Sequence, residues 1–128
     1  MKMNEILIIE DDKEMCEELT NILESEDYFV ESVNDGDQGI SLAEKGDYDI
    51  VLLDLKIPGV NGYDVLKTIK EKCLKTKVLI LTGSPMVYNI LLKKVDKKKM
   101  LNLADTVIYK PFNVMFVLDE IKRLLHKN

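Results

Sequence analysis

The sequence predicts an α/β fold, with an open, doubly wound parallel sheet in a single domain over residues 1–128. Five short apolar runs alternate with longer segments whose apolar residues recur at helical spacing. Nearly continuous aliphatic runs are typical of strands that are covered on both faces. Repeated strand–helix units imply right-handed crossovers and one parallel sheet. The predicted strands are Ile6–Ile9, Tyr28–Val30, Ile50–Leu53, Val78–Leu81 and Val107–Tyr109.

The segments between these runs predict amphipathic helices. In the first, Met15, Leu19, Ile22 and Leu23 form one apolar stripe, with acidic residues on the other side. Similar stripes follow the third and fifth strands. They comprise Val65, Leu66 and Ile69, and then Val114, Val117, Leu118, Ile121, Leu124 and Leu125.

Composition is that of an ordinary soluble domain, with 46% apolar residues, 32% charged residues and a net charge of −5. The acidic balance argues against direct binding to nucleic acid. The longest N-terminal apolar run is too short for a signal peptide or a membrane span. Cys16 and Cys73 lack a partner at metal-binding spacing and are predicted to be free thiols in a reducing, cytoplasmic setting.

Polar side chains follow four of the five predicted strands. The first strand leads into Glu10–Asp12, the third into Asp54, the fourth into Thr82 and the fifth into Lys110. In open parallel sheets, ligands bind at the carboxyl ends of the strands. We therefore expect these side chains to converge on one edge of the sheet.

These residue types suit phosphoryl transfer. Two carboxylates at ~4 Å repel by roughly 4 kcal/mol at an effective dielectric of 20, so the cluster requires a proton or a cation. Carboxylate oxygens without nearby His or Cys favour Mg²⁺. Beside that metal, Asp54 is a candidate nucleophile for an acyl phosphate. Thr82 and Lys110 are candidates to hold the phosphoryl oxygens.

Over its whole length the sequence resembles the receiver domain of two-component response regulators. The motifs that carry the resemblance lie at residues 6–12, 54–62, 81–83 and 109–112, each at the end of a predicted strand. The resemblance implies a flavodoxin-like (βα)5 fold with strand order 2-1-3-4-5. It also implies a signalling domain that accepts a phosphoryl group and is not an enzyme beyond self-dephosphorylation.

The resemblance assigns the acidic residues. Asp54 would be the phosphoacceptor and a Mg²⁺ ligand, and Asp11 the second carboxylate ligand. Glu10 would act mainly through a metal-bound water, and the backbone carbonyl of Lys56 would complete the protein ligands. Asp12 is instead predicted to cap the first helix.

The resemblance also assigns the residues around the phosphoryl group. Thr82 and Lys110 would contact it, and Gly83 would leave access to the acceptor. The side chains of Lys56 and Ser84 stand where the family tunes the rate of dephosphorylation. The expected phosphodonor is a phosphohistidine on a sensor histidine kinase or phosphotransfer protein. Phosphorylation would switch an output domain or a downstream protein partner, with no membrane contact.

The sequence departs from the family pattern near its fourth helix. The segment between Thr82 and Lys110 contains more residues than is usual in receiver domains. The apolar stripe of the predicted helix in this segment is interrupted at residues 97–99. We expect an atypical fourth helix, lengthened or split near Asp96, with its lysines in solvent. Val107 stands where receivers usually carry a switching aromatic residue, with Tyr109 on the same side of the strand.

Two further predictions concern the end of this region. The first is that the signal passes through movement of the loop of residues 82–84 against the fourth helix, rather than through a swinging aromatic side chain, because valine is short and stiff. The second is that the Lys110–Pro111 bond is cis, as in similar receivers.

The residues present disfavour three alternative functions. Asp47–Val51 fits the Asp-x-Asp-x-Val pattern of haloacid dehalogenase phosphatases, but it precedes a predicted strand instead of following one. A pseudo-receiver interaction module usually lacks one of the acidic, acceptor or lysine residues, and all are present here. A flavodoxin requires a hydroxyl-rich loop after the first strand, where this chain has three acids.

Overall fold

The computed structural model describes residues 3–57, 60–83 and 103–126. The elements are β1 (Glu5–Ile9), α1 (Lys13–Ser25), β2 (Phe29–Val33), α2 (Gly36–Lys45), β3 (Ile50–Asp54), α3 (Gly62–Lys72), β4 (Lys77–Thr82), β5 (Thr106–Tyr109) and α4 (Val114–Leu125). Strands and helices alternate from β1 to β4, and β5 and the last helix lie beyond residues 84–102.

The five strands form one parallel sheet in the order β2-β1-β3-β4-β5. This confirms the predicted fold class and strand order. The predicted atypical helix between β4 and β5 falls on residues 84–102, outside the described ranges, as does Ser84.

Alternate residues of each central strand face two separate apolar layers. On one side, the strands pack with Leu19 and Leu23 of α1 and with Val117 and Ile121 of α4. On the other, they pack against the buried faces of α2 and α3. Every residue of β3 is buried, as expected for the central strand of a sheet covered on both sides.

Short polar side chains begin each described helix. Asp12, Asp35, Asn61 and Asn113 each accept a hydrogen bond from a backbone N–H in the first turn of the following helix. The predicted capping role of Asp12 is therefore confirmed, with Met15 N donating to its Oδ1 at 3.1 Å. On β2, the Phe29 side chain is 45% exposed.

Among the described residues, no helix combines the length and apolarity that crossing a bilayer requires. Cys16 and Cys73 are free thiols, as predicted.

Gly62 allows α3 to pack directly on the loop that follows Asp54. A Cβ atom at this position would lie 2.3 Å from the carbonyl oxygen of Leu55 and 2.6 Å from its Cα. Because both atoms belong to the backbone, they cannot rotate away. We expect Gly62→Ala to lower the free energy of unfolding by about 1–3 kcal/mol in urea denaturation. Gly83→Ala is the matched control, because a Cβ there meets no atom of the described residues within 4 Å. Equal stability of the two variants would contradict this packing argument.

Candidate phosphoryl-acceptor site

The carboxyl ends of four neighbouring strands bring the predicted residues to one edge of the sheet. Glu10 follows β1, Asp54 ends β3, Thr82 ends β4 and Lys110 follows β5. Since β1, β3, β4 and β5 lie side by side, these positions are adjacent. A cleft of about 480 Å³ lies at this edge, and its lining includes Asp54, Lys56 and Lys110.

Three carboxylates form the acidic part of this cleft. One oxygen each of Glu10, Asp11 and Asp54 lies within 4.8 Å of the others. Glu10 and Asp54 are buried, at 1% and 4% exposure, whereas Asp11 is exposed. The predicted proximity of Asp11 and Asp54 is therefore observed, with one of the three acids open to solvent.

Lys110 is the cation that joins this cluster. Its Nζ lies 2.6 Å from Glu10 Oε1 and 3.3 Å from Asp54 Oδ2. Its backbone N–H donates to the carbonyl oxygen of Thr82 at 2.6 Å, which fixes the loop beside β4. The Lys110–Pro111 bond is cis, as predicted.

Both oxygens of Glu10 have partners in the protein. Oε1 binds Lys110, and Oε2 accepts from the backbone N–H groups of Asp11 at 3.0 Å and Asp12 at 3.4 Å. Burial raises the pKa of Glu10, and the adjacent Asp54 carboxyl group raises it further against the opposing effect of Lys110. The paired lysine alone would lower this pKa, so burial and the second carboxylate outweigh the ion pair.

The pKa of Lys110 is governed by the same contacts. Burial favours the neutral amine, but the hydrogen bond to Glu10 and the charges of Asp54 and Glu10 outweigh it and raise this pKa. Lys110 is therefore positively charged at neutral pH, and its charge offsets part of the repulsion between the carboxylates.

Asp54 is oriented by the chain that follows it. The backbone N–H of Lys56 donates to Oδ1 at 3.0 Å, while Oδ2 faces Lys110. The Asp54 carboxylate is therefore held on both oxygens.

Thr82 differs from expectation, since its side chain lies outside the lining of the cleft. It is completely buried, and its hydroxyl finds no hydrogen-bond partner among the described residues. A buried polar atom without a partner is costly, which leaves this hydroxyl suited to an additional acceptor. Its contact with a phosphoryl group stays a prediction.

The donor set fits Mg²⁺. The three carboxylates supply hard oxygen ligands at short mutual distance, and the described cleft contains no His ligand. Mg²⁺ retains several waters, so a few protein ligands are sufficient.

The predicted switch positions lie on β5 and at the end of β4. Val107 is half-buried and packs against the apolar layer that includes α2 and α3. Tyr109 is 41% exposed, and a Cβ at Gly83, directly after β4, would meet nothing within 4 Å in the described part of the chain. Their functional roles stay predictions.

The phosphatase pattern lies at the opposite end of the sheet. Asp49 precedes β3 and accepts a hydrogen bond from the backbone N–H of Glu5 at 2.8 Å, so its carboxylate anchors the start of β1. Tyr48 is buried. This geometry supports the sequence argument against a haloacid dehalogenase site.

Sequence reasoning missed the position of Cys16 beside the acidic cluster. Its thiol donates to the carbonyl oxygen of Glu10 at 3.4 Å. Burial, and to a smaller extent the carboxylates of residues 10–12, together raise the pKa of Cys16 to about 11. No spacing rule applies to a single cysteine, so the sequence offered no signal for this contact.

We expect the Cys16 thiol to react slowly with iodoacetamide at pH 8. A pKa of about 11 reduces its thiolate fraction, relative to a solvated thiol, by on the order of 10²-fold. The thiolate fraction rises as the pH approaches that pKa, so alkylation followed by mass spectrometry should accelerate between pH 8 and 11. Alkylation at pH 8 as fast as that of a free cysteine peptide would contradict the assigned environment.

Comparison with known proteins agrees with this geometry. The family model for the response regulator receiver domain matches residues 6–122. The cell cycle response regulator CtrA of Brucella ovis is 34% identical over 124 residues, covering 96% of this chain and 50% of CtrA. The chain thus spans about half the length of the curated relatives it matches.

Solved structures give the same result. A CheY-like receiver domain protein from Methanospirillum hungatei has a TM-score of 0.83 and 28% identity, covering 97% of this chain and 94% of that one. The response regulator TrrA from Thermotoga maritima, solved with Mg²⁺ and BeF, has a TM-score of 0.81 and 28% identity, covering 96% of this chain and all of TrrA. The chain belongs to the response regulator receiver domains, the signalling domains of two-component systems.

Proposed function

We propose that this domain accepts a phosphoryl group on Asp54 in a Mg²⁺-dependent reaction. The observation that carries the proposal is the convergence of Asp11, Asp54 and Lys110 in one cleft. The carboxylates offer a cation site, and Lys110 adds a fixed positive charge where transferred phosphoryl oxygens would lie. TrrA, similar in structure and 28% identical, was solved with Mg²⁺ and BeF, which supports the same use of the cleft here.

Asp11, Asp54 and the backbone carbonyl of Lys56 would hold the metal. Glu10 would act on it mainly through water, because both of its carboxylate oxygens already have protein partners. When bound, Mg²⁺ would neutralise charge on the phosphoryl oxygens and orient them for in-line transfer.

The residues of the chain supply the rest of the reaction. A carboxylate oxygen of Asp54 attacks phosphorus, forming an O–P bond as the donor's P–N bond breaks. The departing imidazole keeps the electron pair of that bond. Lys110 offsets the charge on a phosphoryl oxygen, and the Thr82 hydroxyl donates to another. The product is an acyl phosphate.

The donor that fits this chemistry is a phosphohistidine on a sensor histidine kinase or phosphotransfer protein. Residues 1–128 would act as one receiver domain whose phosphorylation switches an output domain or a protein partner. Gly83 would leave access to the acceptor, and Lys56 and Ser84 would tune hydrolysis of the acyl phosphate. The only reaction that the domain would catalyse is its own dephosphorylation. Its location would be the cytoplasm.

The route of the switch is also part of this proposal. Val107 is packed into the apolar layer and lacks an aromatic ring to rotate. We therefore place the response in the loop that begins at Thr82, as predicted from the sequence. A structure with beryllofluoride in which this loop is unmoved while Tyr109 changes position would contradict it.

The direct test is labelling with acetyl phosphate. We expect a hydroxylamine-labile phosphoryl group on the protein in the presence of Mg²⁺, and none when EDTA removes the metal. Hydroxylamine cleaves acyl phosphates but leaves phosphate esters intact. Metal-independent or hydroxylamine-stable labelling would exclude the proposed acceptor chemistry.

A further inference from the structure

A carboxylate at the end of the sheet opposite the cleft anchors the start of β5, in addition to the contact of Thr106 with Arg123 of α4. Asp105 precedes β5, and its Oδ2 accepts hydrogen bonds from Lys70 Nζ at 3.0 Å and Val78 N at 2.7 Å. Its own backbone N–H donates to the carbonyl oxygen of Val78 at 2.9 Å. Asp105 is therefore hydrogen-bonded to both the backbone N–H and the carbonyl oxygen of Val78.

Lys70 extends this contact to α3. Its Nζ also donates to the carbonyl oxygen of Thr76, at 3.2 Å, in the loop between α3 and β4. The Lys70 and Asp105 side chains are only 19% and 21% exposed. Such a pair is less screened by salt than an ion pair on the open surface. It ties α3, β4 and β5 together at one point.

Strand β5 depends on this kind of anchor. It has four residues and, within the described ranges, pairs with β4 alone. Its register sets Thr106 opposite Leu79 and Tyr109 opposite Thr82. A slip of one residue would move the strand by about 3.3 Å and turn each side chain to the other face.

The register of β5 determines where Lys110 lies, because Lys110 follows the strand directly. Its contact with Glu10 is 2.6 Å long, and a displacement of one residue would exceed the range of a hydrogen bond. The carboxylates of Glu10 and Asp54 are carried by β1 and β3, which pair with each other. Loss of the β5 anchor should therefore displace the lysine and spare the acidic cluster.

We propose that Asp105, neutralised by Lys70, is a positioning residue for phosphoryl uptake. It sets the register of β5 and thereby places Lys110 against Asp54 from the far end of the sheet. This inference rests on the proposed function, in which Lys110 meets the phosphoryl oxygens.

The test distinguishes displacement of Lys110 from damage to the Mg²⁺ site. With acetyl phosphate and saturating Mg²⁺, we expect Asp105→Ala to slow phosphoryl uptake about tenfold or more, because small misplacements of a reacting group are costly. The Mg²⁺ dissociation constant, measured by NMR titration of the Asp11 amide, should not rise above that of wild type, because the carboxylates stay in place and lose a competing cation. The Lys110 amide resonance should shift even without a phosphodonor. Asp105→Asn keeps an oxygen for the Val78 N–H and should restore most of the rate.

Lys72→Met is the matched control. Lys72 lies on the same helix as Lys70 but pairs with Glu44 of α2, at 3.1 Å, so uptake should be unchanged. Lys70→Met is a second variant that leaves the Asp105 side chain and its hydrogen bond to Val78 in place, so it should slow uptake less than Asp105→Ala does and still shift the Lys110 resonance.

Two results would overturn the inference. One is wild-type uptake with an unshifted Lys110 resonance in Lys70→Met and in folded Asp105→Ala. The other is loss of Mg²⁺ affinity by the same factor as the rate, which would indicate general loosening. If the wild-type chain is not labelled at all, the proposed function fails. The Lys110 amide resonance of the variants would still show whether Asp105 sets the register of β5.

Discussion

Asp54→Asn is expected to reduce Mg²⁺-dependent labelling by acetyl phosphate to background. An amide does not form the acyl phosphate, and the other carboxylates of the cleft are differently engaged. Glu10 is bound on both oxygens, and Asp11 is exposed at the edge of the cleft. The variant should remain folded, because the Asn side-chain oxygen still accepts from the Lys56 N–H. Labelling and the urea unfolding curve are measured on the same preparation.

Asp35→Asn serves as the control for this substitution. Asp35 caps α2 through a hydrogen bond from Gln38 N at 2.8 Å, and Asn caps helices equally well. Its labelling should equal that of the wild type. Undiminished labelling of the folded Asp54→Asn variant would place the acceptor elsewhere.

Lys110→Met is expected to impair both phosphoryl uptake and stability. Methionine has a similar length but leaves the buried Glu10 and Asp54 carboxylates without their cation. Removing one partner of a buried pair costs about 3–5 kcal/mol, and we expect the lower end because Lys110 is 21% exposed. Uptake should fall by roughly 10²–10³-fold, since a charge-stabilising group is lost. Urea denaturation and initial-rate labelling measure the two effects.

Mg²⁺ should return part of the lost stability in Lys110→Met, because it supplies positive charge to the same carboxylates. Lys122→Met is the control. Lys122 pairs with Glu26 on the surface, away from the cleft, so uptake should be unchanged. Wild-type uptake by Lys110→Met would remove the lysine from the mechanism.

The sequence predicted the sheet because its signals are local. Each strand is a short apolar run such as Ile50–Leu53, and the structure extends that run only to Asp54. Polar residues directly after such runs are readily located, and parallel strands bring their carboxyl ends to the same edge. The convergence of Glu10, Asp54 and Lys110 could therefore be predicted before any coordinates.

The partners of individual side chains could not be predicted in this way. Lys110 and Glu10 are 100 positions apart, and no spacing rule shows that the lysine lies closer to Glu10 than to Asp54. Lys70 and Asp105 are 35 positions apart and lie in segments without a motif. Such contacts depend on strand register and on rotamers within the packed domain, which short motifs do not encode.

The measurement that bears most directly on the central claim is identification of the phosphorylated residue. After reaction with acetyl phosphate and Mg²⁺, borohydride reduction converts an aspartyl phosphate into homoserine, and peptide mass spectrometry locates it. We predict homoserine at position 54, in a reaction that requires Mg²⁺. Homoserine at position 11 or at another aspartate, or its absence from a labelled protein, would contradict the account.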